Sequence, residues 1–235
     1  MNKNTLFLLH YAGGNYYSFR FMEPYLHDFE CIPLELPGRG RRIYESCLNN
    51  FNDAAVEIAD QIVNNLVSPD FYIYGHSMGA IMALRVAAIL EKKNLIPSYL
   101  IVSGNAGPGI KEIEKKHLLG KEEFKQELVK LGGMPAEFYS NEELFDFFEP
   151  IIRADFELLE TINYVEFTPV KASIYALMGN TEEDSESIEN WKRFTLSDFN
   201  GEILEGHHFF IYKYAEKIAG IIKGCVKKVA QKSIS

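Results

Sequence analysis

The pentapeptide Gly75-His76-Ser77-Met78-Gly79 is preceded by the apolar run FYIY and followed by IMALRVAAIL. A serine bracketed by glycines two places away, between a strand-like and a helix-like run, restricts the chain to folds in which a buried strand turns sharply into a helix. The hydroxyl then stands exposed at a strained turn, where side chains two places to either side would crowd the serine. At such a turn Ser77 lies at the positive end of a helix dipole, and the amide of Met78 points to where an oxyanion would form.

The rest of the chain supplies that context. Short β-branched or aromatic runs, TLFLLH, CIPLEL, FYIYGH, YLIVSG, ASIYALMG and EILEG, alternate with helical patterns. The alternation predicts an α/β fold, a mostly parallel central sheet flanked by helices. Phe51, Ala55, Ile58, Ile62 and Leu66 keep helical spacing, and Met78 to Lys92 is nearly apolar throughout, as for a helix buried against the sheet. Right-handed crossovers bring every strand C-terminus to one edge, where ligands bind. Ser77, Ala12, Gly13, Glu182 and His208 all follow strand ends.

Bulk properties narrow the function. With 235 residues, 47% of them hydrophobic, the chain is read as one domain over 1–235. A formal charge of -9 without a Lys/Arg block argues against nucleic acid. No segment approaches about 18 uninterrupted apolar residues, so the reading is a soluble cytoplasmic protein that does not engage a membrane. Cys31, Cys47 and Cys225 match neither a disulfide framework nor a zinc spacing, and are read as reduced thiols.

A serine is a weak nucleophile without a base and an orienting acid, which should follow it in the order Ser, Asp/Glu, His. GHHFF offers His207 and His208, and GNTEED offers Glu182, Glu183 and Asp184. His76 is too near Ser77 along the chain to be the base. A second oxyanion donor is expected from HYAGGNYYSF, at the amide of Ala12, with Gly13 and Gly14 shaping the loop. No metal or cofactor is called for, because HYAGG lacks the Lys-Ser/Thr ending of a P-loop and no ligand cluster appears.

The strand–helix rhythm breaks once, over about residues 108–168. This stretch is helical in pattern and split by LGGMP, and reads as a lid inserted near the ligand edge. Leu144, Phe148 and Ile152 are expected to line a ligand channel, with the MP of LGGMP as a hinge.

HYAGGNYYSFR, LPGRGRR, GHSMGA, LGGMP with PIIRADFELLE, and GHHFF together resemble, in order and spacing, the type II thioesterases that accompany nonribosomal peptide and polyketide synthases. The match runs from Leu6 to Phe210. The resemblance implies an α/β-hydrolase fold with a helical lid, and hydrolysis of acyl groups from the phosphopantetheine arm of carrier proteins. The usual task of the family is editing of stalled chains, and some members release product. It implies Ser77 as nucleophile and His208 as base, with His207 at a place where the family commonly has a small or polar residue. The family's Gly-x-x-Asp pattern places the acid at Glu182, whereas residue type favours Asp184; Glu182 is ranked first.

The partners implied are acyl or peptidyl carrier domains, met by a monomer. Carrier domains are generally acidic, so docking on this acidic chain needs a local basic patch. Candidates are Arg39, Arg41 and Arg42, with Lys111, Lys115 and Lys116 at the start of the lid. Arg39, between two glycines in a turn, could instead tie loops together, and Lys115 and Lys116 could be a solvated face. Two other readings stay open: a serine carboxylesterase or acyltransferase on the same scaffold, and a non-catalytic binding module.

Overall fold

The computed structural model describes residues 3–110 and 114–232, so Lys111 lies outside the described residues. Six strands form one sheet: β1 (Asn4–Leu9), β2 (Phe29–Leu34), β3 (Phe71–His76), β4 (Tyr99–Ser103), β5 (Ser173–Gly179) and β6 (Phe199–Leu204). Each overlaps one of the six apolar runs, with β2 starting two residues before CIPLEL and β6 three before EILEG. Their order is β2-β1-β3-β4-β5-β6 and all neighbours pair in parallel. A parallel sheet must be covered on both faces. Along β3, Phe71 and Ile73 face the helices α1 (Phe51–Asn65) and α2 (Met78–Lys92), while Tyr72 and Tyr74 face α6 (Ala215–Lys232) and the short turn Arg20–Tyr25.

The β1–β2 connection covers the second face, and the β2–β3 and β3–β4 connections cover the first. Strand order therefore reverses between β1 and β3, and the loops leaving their C-terminal ends diverge to open a crevice. That crevice holds the segment after β1 and the turn after β3.

Between β4 and β5 the chain builds α3 (Lys121–Leu131), α4 (Ala136–Ser140) and α5 (Glu142–Glu160), within the stretch where the rhythm was expected to break. LGGMP separates α3 from α4. Phe124, Leu128, Phe138, Phe145, Ile152 and Phe156 give these helices a small apolar core distinct from the two sheet faces. Cys31, Cys47 and Cys225 are free thiols, and among the described residues no helix is long and apolar enough to cross a membrane.

Candidate active site

Ser77 caps the N-terminus of α2 with φ 56° and ψ -113°. A side chain in this region costs about 1–3 kcal/mol and persists only where surrounding bonds over-determine it. Here the Ser77 N–H donates to the Ser103 carbonyl at the end of β4 (2.8 Å), and the Ser77 carbonyl accepts from Ala80 (3.1 Å). A Cβ on Gly75 would collide with the Gly79 carbonyl, and a Cβ on Gly79 with the Leu9 carbonyl in β1. The two glycines thus make room for α2 to pack against β3 and β1, rather than for the serine side chain itself.

The loops after β5 and β6 bring the other polar groups to Ser77. The Asn180 N–H donates to the Leu204 carbonyl (2.7 Å), Thr181 to the Gly206 carbonyl (3.1 Å), and Gly206 back to Asn180 Oδ1 (2.8 Å), knitting the two loops together. Glu182 accepts the Gly179 N–H on Oε1 (2.7 Å) and meets His208 Nδ1 with Oε2 (2.6 Å). His208 Nε2 lies 2.9 Å from Ser77 Oγ. A carboxylate only accepts, so Nδ1 carries the proton, Nε2 is the acceptor and the Ser77 hydroxyl donates to it. The structure thus brings Ser77, His208 and Glu182 into one hydrogen-bonded line. Asp184 lies on the wall of the same cavity, and it is Glu182 that meets the imidazole. His207 is exposed at the rim, where its Nδ1 accepts the N–H of Phe209.

Beneath His208, the ring of His76 is fully buried and bonded through Nδ1 to Ser103 Oγ (2.8 Å), which also bonds the Tyr74 hydroxyl (2.9 Å). Burial, reinforced by the nearby His208, holds its pKa well below the ordinary histidine value. A neutral floor of this kind adds no second positive charge 5.0 Å from the His208 ring.

Of the amides in the loop after β1, that of Gly13 donates to Asp155 Oδ2 (2.7 Å) and that of Gly14 to the Tyr11 carbonyl (2.8 Å). Ala12 has no such partner among the described residues and lines the cavity with Ser77 and Met78. Met78 is the first residue of α2, where the N–H has no acceptor within the helix.

The cavity runs from Ser77 between the sheet edge and the inserted helices, walled by Leu128, Leu131, Ile152, Phe156, Leu159 and Ile162. A Cβ on Gly133 of LGGMP would collide with the Phe209 ring, so the insertion packs directly on the His208 loop. Two of the three expected channel residues need correction. Leu144 is 39% exposed, and Phe148 packs against the outer side of the small helical core; only Ile152 reaches the cavity. Four residues precess only about 40° around the helix, so the three share a stripe; the N-terminal half of α5 turns that stripe to solvent and to the small helical core, and only its C-terminal half reaches the cavity. The wall of α5 is instead Ile152, Phe156 and Leu159, all in its C-terminal half.

The basic cluster also divides. Arg39 is only 2% exposed and forks onto Asp155 of α5, Nη1 to Oδ2 at 2.5 Å and Nη2 to Oδ1 at 2.7 Å. It is therefore no part of an exposed docking surface: a guanidinium in an apolar interior needs a bidentate partner, and breaking such a pair costs about 3–5 kcal/mol. Arg42 is half-buried and bound to Glu45 and Glu57. Lys116 pairs with Glu114 and Glu127. Arg41 is exposed and lies over the ring of Tyr16 (4.2 Å), and Lys115 is exposed.

Several residues around the site went unread in the sequence. Asp155, His10, Glu35 and Ser103 are all buried and polar. Glu35 accepts the N–H of Tyr16 on one oxygen (3.0 Å) and that of Arg41 on the other (2.9 Å), pinning the loops after β1 and β2 together. The available signal was Asp155, a carboxylate on the apolar stripe Ile151, Ile152, Phe156 and Leu158.

Comparison with known proteins bears on this arrangement. The family profile described as "Thioesterase domain" matches residues 4–226. The gramicidin S biosynthesis protein GrsT of Aneurinibacillus migulanus is 33% identical over 218 residues, covering 90% of this chain and 84% of GrsT. The protein named linear gramicidin dehydrogenase LgrE of Brevibacillus parabrevis is 30% identical over 230 residues, 94% of this chain and 87% of its own. Among solved structures, YbtT, a type II thioesterase from a yersiniabactin NRPS/PKS biosynthetic pathway, superposes with a TM-score of 0.83 at 27% identity, over 94% of this chain and 92% of that one.

Proposed function

Because the chain belongs to the thioesterase domain family, whose members hydrolyse thioesters, we propose that it removes acyl groups from the phosphopantetheine arm of carrier proteins in a nonribosomal peptide or polyketide synthase. Its task is to clear stalled or misprimed chains or to release product. The observation that carries the reading is the line Glu182–His208–Ser77 at the mouth of an apolar cavity. This is machinery for acyl transfer, and it favours hydrolysis over the redox chemistry in the name of one relative.

In the mechanism, Ser77 Oγ attacks the thioester carbonyl while His208 Nε2 takes its proton, and Glu182 stabilises the imidazolium through Nδ1–H. The amides of Met78 and Ala12 face the developing oxyanion. The C–S bond then breaks, and the imidazolium returns its proton to the departing pantetheine thiolate. Water attacks the acyl-Ser77 ester by the same route, with His208 as base, and releases the carboxylic acid. The apolar wall receives the acyl chain, and the packing of LGGMP on the His208 loop supports a role for the insertion as a lid.

The test compares turnover of an acyl carrier thioester with that of an oxoester of equal chain length, on wild type and Ser77→Ala. The expected result is a strong preference for the carrier thioester, abolished in the variant. Faster turnover of the oxoester would favour a carboxylesterase.

A further inference from the structure

We propose that His10, Arg39 and Asp155 form a buried clamp that positions the loop after β1, aiming the amide of Ala12 at the oxyanion. The proposal rests on the acyl-transfer reading above and adds three positioning residues to it. The carbonyl of Tyr11 and the N–H of Ala12 belong to one trans peptide unit, so they point in opposite directions. That carbonyl accepts the Gly14 N–H (2.8 Å) and lies 2.9 Å from His10 Nδ1. A carbonyl oxygen only accepts, so His10 carries its proton on Nδ1 and donates. Two donors therefore fix the carbonyl, and with it the opposite direction of the Ala12 N–H.

The following peptide units are held from α5. The Gly13 N–H donates to Asp155 Oδ2 (2.7 Å), and the Arg39 guanidinium, forked onto the same carboxylate, also reaches the Gly14 carbonyl (3.5 Å). Exposures of 4% for His10, 2% for Arg39 and 0% for Asp155 leave no water to compete. Burial, with the Arg39 charge adding to it, lowers the His10 pKa to about 4 and keeps the ring a neutral donor near neutral pH. Three of the four peptide units between Tyr11 and Asn15 thus owe their orientation to side chains that touch no substrate, and one of these side chains belongs to the inserted helix that walls the cavity.

The test uses the whole chain. Arg39→Met/Asp155→Leu removes both charges at once, so no unpaired charge is buried. Expected are a Tm close to wild type, a KM within about threefold and a kcat lower by about 10²-fold, the scale of losing one oxyanion donor. Affinity for an acyl trifluoromethyl ketone, which Ser77 converts to a tetrahedral oxyanion adduct, should fall by the same factor, while affinity for the matching alcohol stays constant. A folded double variant with wild-type kcat and ketone affinity, or equal losses for ketone and alcohol, overturns the clamp. Should the double variant fail to fold, His10 decides: His10→Asn keeps a donor near the Tyr11 carbonyl and should retain kcat, whereas His10→Leu should lose about 10-fold or more. Equal kcat in these two overturns the clamp. Wild-type enzyme that binds ketone and alcohol alike overturns the acyl-transfer reading itself, and the clamp with it.

Discussion

At Ser77 the hydroxyl faces His208, and the imidazole is held from behind by a carboxylate whose second oxygen is tied to the Gly179 amide. Such double anchoring makes Glu182 a rigid acceptor, so its removal should misplace the imidazole and select the wrong tautomer. Glu182→Gln is expected to lower kcat by up to about 10⁴-fold, whereas Asp184→Asn, altering only the cavity wall, should leave kcat within about tenfold. Steady-state hydrolysis of an acyl thioester checks both, and comparable mild effects would move the acid elsewhere. By the same geometry His208→Ala should be inactive with its fold intact, and the exposed His207→Ala should keep most activity. His10 gives a prediction about stability. Its pKa is about 4 in the folded chain against 6.5 when solvated, so between these values the unfolded state binds the proton and the native state does not. Stability therefore rises with pH through this window, and on acidification from pH 6.5 to pH 4 the group costs at most about 3 kcal/mol. Urea unfolding across that range should show a smaller loss for His10→Asn than for wild type; parallel curves would mean that His10 is not held neutral by burial.

At the scale of elements, α5 carries two jobs on one stripe: Ile152, Phe156 and Leu159 wall the cavity, and Asp155 beside them enters the buried ion pair. If the cavity takes the acyl chain, narrowing it at Leu159 should discriminate by length. Leu159→Trp is expected to lower turnover of a long acyl thioester at least about tenfold more than that of acetyl, a discrimination of the size that a filled hydrophobic pocket supplies. Phe148→Ala should change the ratio by less than about twofold. A uniform loss across lengths for Leu159→Trp would return that residue to a purely structural role. The contrast with Leu144 and Phe148 marks where sequence reading runs out. The four inner strands were legible because a strand buried on both faces is a continuous apolar run, whereas the half-buried edge strands β2 and β6 were read two and three residues late; parallel connections dictate where Ser77, Glu182 and His208 must emerge. The triad order followed from that topology together with the motif. Which part of an inserted helix meets the ligand was not legible: α5 buries apolar residues against its own small core as well as against the cavity, and both surfaces look alike in sequence. Arg39 was misplaced on the docking surface for a related reason, since its partner Asp155 lies 116 residues away.

On the scale of the whole molecule, the reversal between β1 and β3 gathers the loops after β1, β2 and β3 at one sheet edge, and the insertion closes over it. A carrier domain must approach that edge against a field of net charge -9, so any attraction has to be local. With Arg39 buried and Arg42 and Lys116 committed to carboxylates, two of the cations considered remain available among the described residues. Arg41 is exposed and seated on Tyr16, in a loop that Glu35 fixes next to the segment after β1. Lys115 is exposed between Glu114 and Lys116, whose side chains reach the cavity. Neither Arg41 nor Lys115 has a carboxylate partner among the described residues. Reversal of both, Arg41→Glu/Lys115→Glu, should therefore raise the KM for an acidic acyl carrier protein by about tenfold at low salt, the scale of one or two exposed charge contacts. The wild-type KM should rise as ionic strength shortens the Debye length, and the reversed variant should show a weaker rise. Hydrolysis of the same acyl group on N-acetylcysteamine, which brings no protein surface, should change by less than about twofold, and Tm should be unaffected because exposed charges contribute little to stability. Equal losses on the two substrates would show that these side chains support the loops around Ser77 instead, and the carrier would have to reach the thioester from another side of the crevice.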